Sequence, residues 1–242
     1  MRRLVVGLLA VVAASLSGCG TTTSPDGGPG PDYPEIQNLI AFYQFNGSLG
    51  NAASGALEVM SQKVPEYIAD HNGVEGSAIY VRSTSDTLWV PNRGALDITG
   101  EITLAAWVQP ELRNNAYCAI VDKDYDAAYS MGVGGAASPD TTELRLYISD
   151  QNFWASDVVP IGTGEWTHVA CTYEEAGGEA KLYVNGALRD SHQHQLAIGV
   201  SDVDLRIGRS AYGDAFKGGI DQMAIFDRAL TAAEVAELYA FD

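Results

Sequence analysis

The sequence predicts an all-β fold: an antiparallel sandwich of two sheets closed by one short C-terminal helix. Three observations predict it. Apolar residues alternate with polar ones over several short segments. Glycine-rich turns separate those segments. Helical periodicity is nearly absent before residue 230. Alternation of period two marks strands with one face on a core, and many such strands with tight turns pack as facing sheets.

The alternation is clearest in four places. Ile102, Leu104, Ala106 and Val108 interleave with Glu101, Thr103, Ala105 and Trp107. Leu144, Leu146 and Ile148 form a second set. Val169, Cys171 and Tyr173 interleave with His168, Ala170 and Thr172, and Leu182 and Val184 flank Tyr183. Gly177-Gly178 and Asn185-Gly186 supply hairpin turns beside the last two sets. The helix is announced by Thr231 and Glu234, which fit a capping box. Leu230 and Val235 fit the accompanying hydrophobic staple. Val235, Leu238 and Tyr239 give it a short apolar stripe.

Ahead of these elements the chain reads differently. Arg2 and Arg3 precede an apolar run from Leu4 to Leu16, then Ser17, Gly18 and Cys19. A basic start, a short apolar stretch and small residues before a cut site describe a secretory signal over 1–18. The run is too short to span a bilayer comfortably. Leu16-Ser17-Gly18-Cys19 also resembles the bacterial lipoprotein box, in which the cysteine becomes the lipidated first residue. The expectation is a lipid tether on Cys19 and localisation to a bacterial outer membrane or cell surface; the other reading is a plain secreted protein. Residues 20–34 are rich in Gly, Pro, Thr, Ser and Asp, too polar to pack, so 19–34 is expected to be an anchor and stalk. Residues 35–242 then form one domain.

The 242 residues carry a net charge of −17 from 14 basic and 31 acidic side chains. The leader holds two of the arginines and no acid, so the exported part stands at 12 minus 31, or −19. That balance excludes a binder of nucleic-acid backbones, which needs a basic footprint. Three cysteines are too few for a disulfide-dense scaffold. With Cys19 assigned to lipid, Cys118 and Cys171 remain. Both face the core by strand parity, as a disulfide or as two buried thiols.

Four segments carry a family resemblance. Residues 40–47 (IAFYQFNG), 102–110 (ITLAAWVQP), 164–186 (GEWTHVACTYEEAGGEAKLYVNG) and 218–239 (GGIDQMAIFDRALTAAEVAELY) resemble the concanavalin A-like, laminin G-type domains related to pentraxins. The resemblance implies a jelly-roll sandwich. It also implies calcium where the end of the first strand meets the last strand. The side chains of Asn46 and Asp221 are the candidates there, with carbonyls near Ser48, Gly73 and Asp221. Oxygen donors suit such a hard cation. Many relatives carry Asp where this chain has Asn46, which weakens the site. The alternative is a pair of strand-end residues bonded to backbone.

Other acidic and basic clusters imply less. Asp122, Asp124 and Asp126 lack the glycine and the twelfth-position glutamate of an EF-hand, so they read as an acidic hairpin loop. His192 and His194 share a strand face without nearby cysteine and read as a solvated strand. His168 is expected to pack near Trp166, and Trp89, Trp107 and Trp166 to lie in the core. The related sandwich glucanases use a tight Glu-x-Asp-x-Glu strand, and this chain has none. No serine elbow, zinc-protease helix or phosphate loop occurs. The expected role is therefore non-catalytic recognition of a glycan or an extracellular protein, with membrane contact only through the anchor. Sugars stack on aromatic faces and bond to polar edges. Tyr125, Tyr129, Trp154, Tyr212 and Asp214 are the candidates for that contact. A structural component of an envelope complex and an enzyme with an unrecognised site are the rival readings.

Overall fold

The computed structural model describes residues 33–53, 56–83, 85–111, 117–135, 141–149, 151–154, 160–210 and 214–241, with side chains at 141, 151–154, 160 and 214 left aside. The expected leader, Cys19, most of the stalk and Tyr212 lie outside these residues. Among the described residues the chain runs through β1 (Leu39–Tyr43), β2 (Met60–Ser61), β3 (Glu66–Ile68), β4 (Ala78–Val81) and β5 (Leu88–Val90). It continues through β6 (Glu101–Pro110), β7 (Cys118–Asp122), β8 (Tyr129–Gly134), β9 (Thr141–Ile148), β10 (Gln151–Trp154) and β11 (Pro160–Gly162). It closes with β12 (Thr167–Glu174), β13 (Glu179–Val184), β14 (Ala187–Gln193), β15 (Leu205–Ile207), β16 (Asp214–Ala215), β17 (Gly218–Phe226) and the helix α1 (Ala232–Tyr239). No helix among the described residues is long and apolar enough to cross a membrane.

Two sheets face each other, as the alternation requires. One is ordered β14-β13-β12-β6-β17-β4-β3, with β1 also paired to β17. The other is ordered β10-β9-β8-β7-β15-β5-β2, with β11 on β9 and β16 on β7. The pairings are antiparallel except for β16 on β7, a two-residue parallel contact that no local pattern announces. Non-sequential neighbours such as β6 between β12 and β17 give the jelly-roll winding. Ile102, Leu104, Ala106 and Val108 meet Leu144, Leu146, Ile148, Val169 and Cys171 in the core between the sheets. The Asn185-Gly186 turn carries positive φ at both residues (50° and 72°), the twist a two-residue hairpin needs.

One expectation of simple alternation fails instructively. In β12 the residues between the core positions, His168, Ala170 and Thr172, are buried as well. The reason is a second, smaller core on the outer side of that sheet. Phe42, Ala105, Ala170, Tyr183 and Phe226 pack there against Leu230, Val235 and Leu238 of the helix region. Tyr33, placed in the stalk by sequence, packs against the same cluster.

The helix is held as its sequence predicts. Glu234 N–H donates to Thr231 Oγ1 at 3.3 Å, and Thr231 N–H donates to Glu234 Oε2 at 2.9 Å. Such a cap contributes about 1 kcal/mol. The Arg228 guanidinium grips the same carboxylate with two nitrogens, at 2.9 and 2.6 Å. That pair holds the Glu234 carboxyl down at about 2.

Candidate functional site: the outer face of the nine-stranded sheet

Strand parity decides what the second sheet shows to the outside. Leu88 and Val90 face the core, so Trp89 between them faces out. The same holds for Arg206 between Leu205 and Ile207, and for Tyr147 between Leu146 and Ile148. A bulge between Ala119 and Val121 resets β7 so that Asp122 joins this side. The register then aligns Met60, Trp89, Arg206, Asp122, Ser130, Tyr147 and Asn152 in one row across seven strands. A neighbouring row runs Ala215, Ala119, Gly132, Arg145 and Trp154.

Tyrosines cover part of this face. Tyr117 and Tyr147 lie with ring centroids 4.3 Å apart, and Tyr125 sets its edge against both, at 6.2 and 5.5 Å. Edge-to-face packing of this kind is the favoured arrangement of aromatic quadrupoles. Tyr117 lies over Gly132: a Cβ at that glycine would press into the Cys118 carbonyl and come within 2.7 Å of the Tyr117 ring. The Ser130 hydroxyl donates to the Val121 carbonyl at 3.0 Å, so the Tyr117 phenol donates to Ser130, at 2.7 Å. Burial pushes the Tyr117 phenol well above its ordinary pKa, which keeps it a donor. Arg145 pairs with Glu143 at 3.3 Å, and Gly135, at φ 71°, leaves the space those two groups fill. Asp122 and Ser130 are fully buried on this side, whereas Tyr125, Trp89 and Arg206 are partly exposed.

Two of the binding candidates read from sequence lie on strands of this sheet, and a third, Tyr125, lies in the turn between β7 and β8. Tyr125 is partly exposed and joins the tyrosine group. Trp154 pairs in register with Arg145, and Asp214 pairs with Cys118. Tyr129 is a correction. It is fully buried between the sheets and its hydroxyl donates to the Leu96 carbonyl at 3.0 Å, because in β8 it shares the inward parity of Met131 and Val133. Sequence reasoning missed Tyr117 and Tyr147. The signal for Tyr147 was its place between Leu146 and Ile148; Tyr117 stands just before a strand, where alternation is silent.

The three tryptophans are a second correction. Trp89, Trp107 and Trp166 are partly exposed and point away from the central core. Trp166 lies against Gly219, where a Cβ would come within 2.6 Å of its ring. His168 packs on Trp107, at 5.6 Å, and near Tyr239, at 5.9 Å. Burial lowers its pKa to about 3, so it is neutral.

Asp122 ends β7, while residues 123–128 form the loop expected there, anchored by a buried cation. Lys123 Nζ donates to Asn92 Oδ1 at 2.7 Å and to the carbonyls of Ser201 and Val203 at 2.6 Å each. Desolvation pulls its pKa down while Asp97, Asp204, Asp202 and Asp124 push back. His192 pairs with Asp190 at 3.1 Å. Cys118 and Cys171 are two buried thiols, and burial raises the Cys171 pKa. Both face the central core.

The residues to which the resemblance assigns calcium are arranged differently from a cation cage. Tyr43 pairs with Met223, so Phe45 and Asn46 leave the sheet at about the level of Asp221. Asn46, Ser48 and Gly73 are exposed, whereas Asp221 is buried. Both Asp221 oxygens are engaged: Oδ1 accepts the Gln222 N–H at 2.7 Å, and Oδ2 lies 2.8 Å from His71 Nδ1. Burial raises the Asp221 pKa, and its bond to His71 opposes that rise. Among the described residues no group of three or more His, Cys, Asp or Glu side chains could hold a metal ion. This donor set does not fit calcium, which takes six to eight oxygens.

The two-sheet jelly roll with its outer helix is the architecture of a lectin-type sandwich. A sequence profile described as "Concanavalin A-like lectin/glucanases superfamily" matches residues 82–236, and the chain belongs to that superfamily. Comparison with curated protein sequences gave no match. Domain 4 of AbnA, a GH43 extracellular arabinanase from Geobacillus stearothermophilus, solved with arabinotriose, is similar. The two share 21% identity and a TM-score of 0.66, over 84% of this chain and 98% of that one. The binding domain of Paraclostridial Mosquitocidal Protein 1 is 14% identical at a TM-score of 0.66, over 84% of this chain and 52% of its own. The botulinum neurotoxin serotype D ligand binding domain, solved with N-acetylneuraminic acid, is 16% identical at a TM-score of 0.62, over 84% and 50%. This chain therefore spans about half the length of the two toxin domains. At these identities the likeness is one of fold.

Proposed function

We propose that the domain is a non-catalytic carbohydrate-binding module that uses the outer face of the nine-stranded sheet. The observation that carries this reading is the group Tyr117, Tyr125 and Tyr147, with Tyr125 partly exposed, on the outer side of the sheet that also carries the partly exposed Trp89 and Arg206. A sugar ring offers an apolar face and a rim of hydroxyls, and such a surface matches both. Trp154 pairs in register with Arg145 and adds a strand of the same sheet to the site. Two of the similar folds, the arabinanase domain and the toxin domain, were solved with a saccharide and a sugar acid, which supports a sugar over other small ligands. The leader and Cys19 support display outside the cell on a lipid anchor, with the stalk as spacer.

A glycan array probed with the intact chain tests this. Binding to one or a few saccharides is the expected outcome. No binding to any saccharide, together with capture of an envelope protein, would transfer the site to a protein partner.

A further inference from the structure

The strand ends that the superfamily resemblance assigns to calcium are held here by an imidazole. Asp221 stands at a bulge of β17, where Gln222 takes φ 43° and the register shifts before Ala224. Alternation after the core-facing Ile220 turns the carboxylate outward, beside Trp107, its partner on β6. His71 lies flat on that tryptophan, with ring centroids 4.2 Å apart and planes 11° from parallel. From there its Nδ1 reaches Asp221 Oδ2 at 2.8 Å. The side chains are 5% and 2% exposed.

The turn that carries His71 is built to hold it. Asp70 Oδ1 accepts the N–H groups of Asn72 and Val74, at 2.9 and 2.8 Å. Asp70 N–H donates to the Val74 carbonyl at 3.1 Å, and Gly73 N–H donates to the Asp70 carbonyl at 3.1 Å. Gly73 has φ 81°, which glycine adopts without strain. At the far side of the ring Asn72 Nδ2 lies 3.2 Å from Nε2. An amide nitrogen only donates, so Nε2 accepts and the proton sits on Nδ1, facing a carboxylate that only accepts. Both ring nitrogens and both carboxylate oxygens are thereby satisfied without a metal.

We propose that this domain has replaced the superfamily's calcium with the His71 imidazole, which makes its fold indifferent to calcium. His71 and Asp221, 150 residues apart in the chain, join the 70–74 turn to the last strand as a shared cation would. The proposal concerns the strand ends and stands whether or not the opposite sheet binds sugar.

Thermal melts and calcium titration calorimetry of the intact chain test it. The wild-type protein is expected to melt at the same temperature in millimolar calcium and in chelator, and to give no binding heat. His71→Gln keeps an N–H donor and is expected to stay indifferent. His71→Ala is expected to melt lower and to regain stability with calcium, because the bared carboxylate then seeks a cation. A ligand at a hundredfold excess over its dissociation constant raises Tm by about 5–10 °C in a domain of this size. A wild-type Tm raised by calcium to that extent, or a binding isotherm at wild type, overturns the proposal. So does an Asp221→Asn protein as stable as wild type, since the carboxylate would then hold nothing. If His71→Ala does not fold, the wild-type and His71→Gln measurements still decide.

Discussion

The Tyr117 phenol donates to the Ser130 hydroxyl at 2.7 Å, and that hydroxyl donates onward to the Val121 carbonyl at 3.0 Å. The chain of bonds ties an aromatic side chain from outside β7 to the backbone of β7 through β8. It holds Tyr117 over Gly132 and gives Tyr125 and Tyr147 a fixed ring to pack against. Rigid aromatics lose little entropy when a ligand settles on them.

Gly132→Ala tests that arrangement. The new methyl group would overlap the Cys118 carbonyl and crowd the Tyr117 ring, so either strand or ring must move. The expected cost is about 1–3 kcal/mol of stability, read from the urea midpoint. Saccharide affinity is expected to fall beyond what the loss of stability explains.

Lys123→Met removes the cation that anchors the 123–128 loop while keeping its length. Asn92 Oδ1 and the carbonyls of Ser201 and Val203 would lose their shared donor in a buried position. The expected loss is about 3 kcal/mol, seen as a lower denaturation midpoint with an unchanged slope. An unchanged midpoint would mean the three oxygens find water.

Acid titration separates the Arg228–Glu234 pair from the rest. The Glu234 carboxyl sits at about 2 in the folded state, against an ordinary 4.5. A depressed carboxylate stabilises above its unfolded pKa, and that contribution is lost as pH falls through the folded one. The stability gap between wild type and Glu234→Gln is therefore expected to be full at pH 7, to shrink below about pH 4.5 and to stop changing near pH 2. Solvent reaches this pair, so the gap is expected to stay below about 1 kcal/mol.

Much of this was legible because β-structure writes its faces into the sequence with period two. Ile102 to Val108 and Leu144 to Ile148 announced their strands, and Thr231 with Glu234 announced the helix start. Of the candidates for ligand contact, Trp154 and Asp214 fall on strands of one sheet and Tyr125 in a turn between two of its strands. Tyr129 misled because a tyrosine near an acidic loop looks like surface, while its parity with Met131 places it inside. The tryptophans misled because their size suggests a core, whereas they cover the outsides of the two sheets. His71 with Asp221, and Lys123 with the 201–203 loop, join residues 78 to 150 positions apart, and no local pattern encodes such pairs.

The central claim is that the tyrosine face binds sugar, and one titration tests it most directly. The affinity of the intact chain for its best saccharide on the array is measured beside Tyr125→Ala and beside Leu188→Ala, an exposed change on the other sheet. The account predicts that Tyr125→Ala weakens binding about tenfold, the value of one stacked aromatic, and that Leu188→Ala leaves it unchanged. Equal affinity for all three proteins, or no saccharide bound by the wild type, would contradict it.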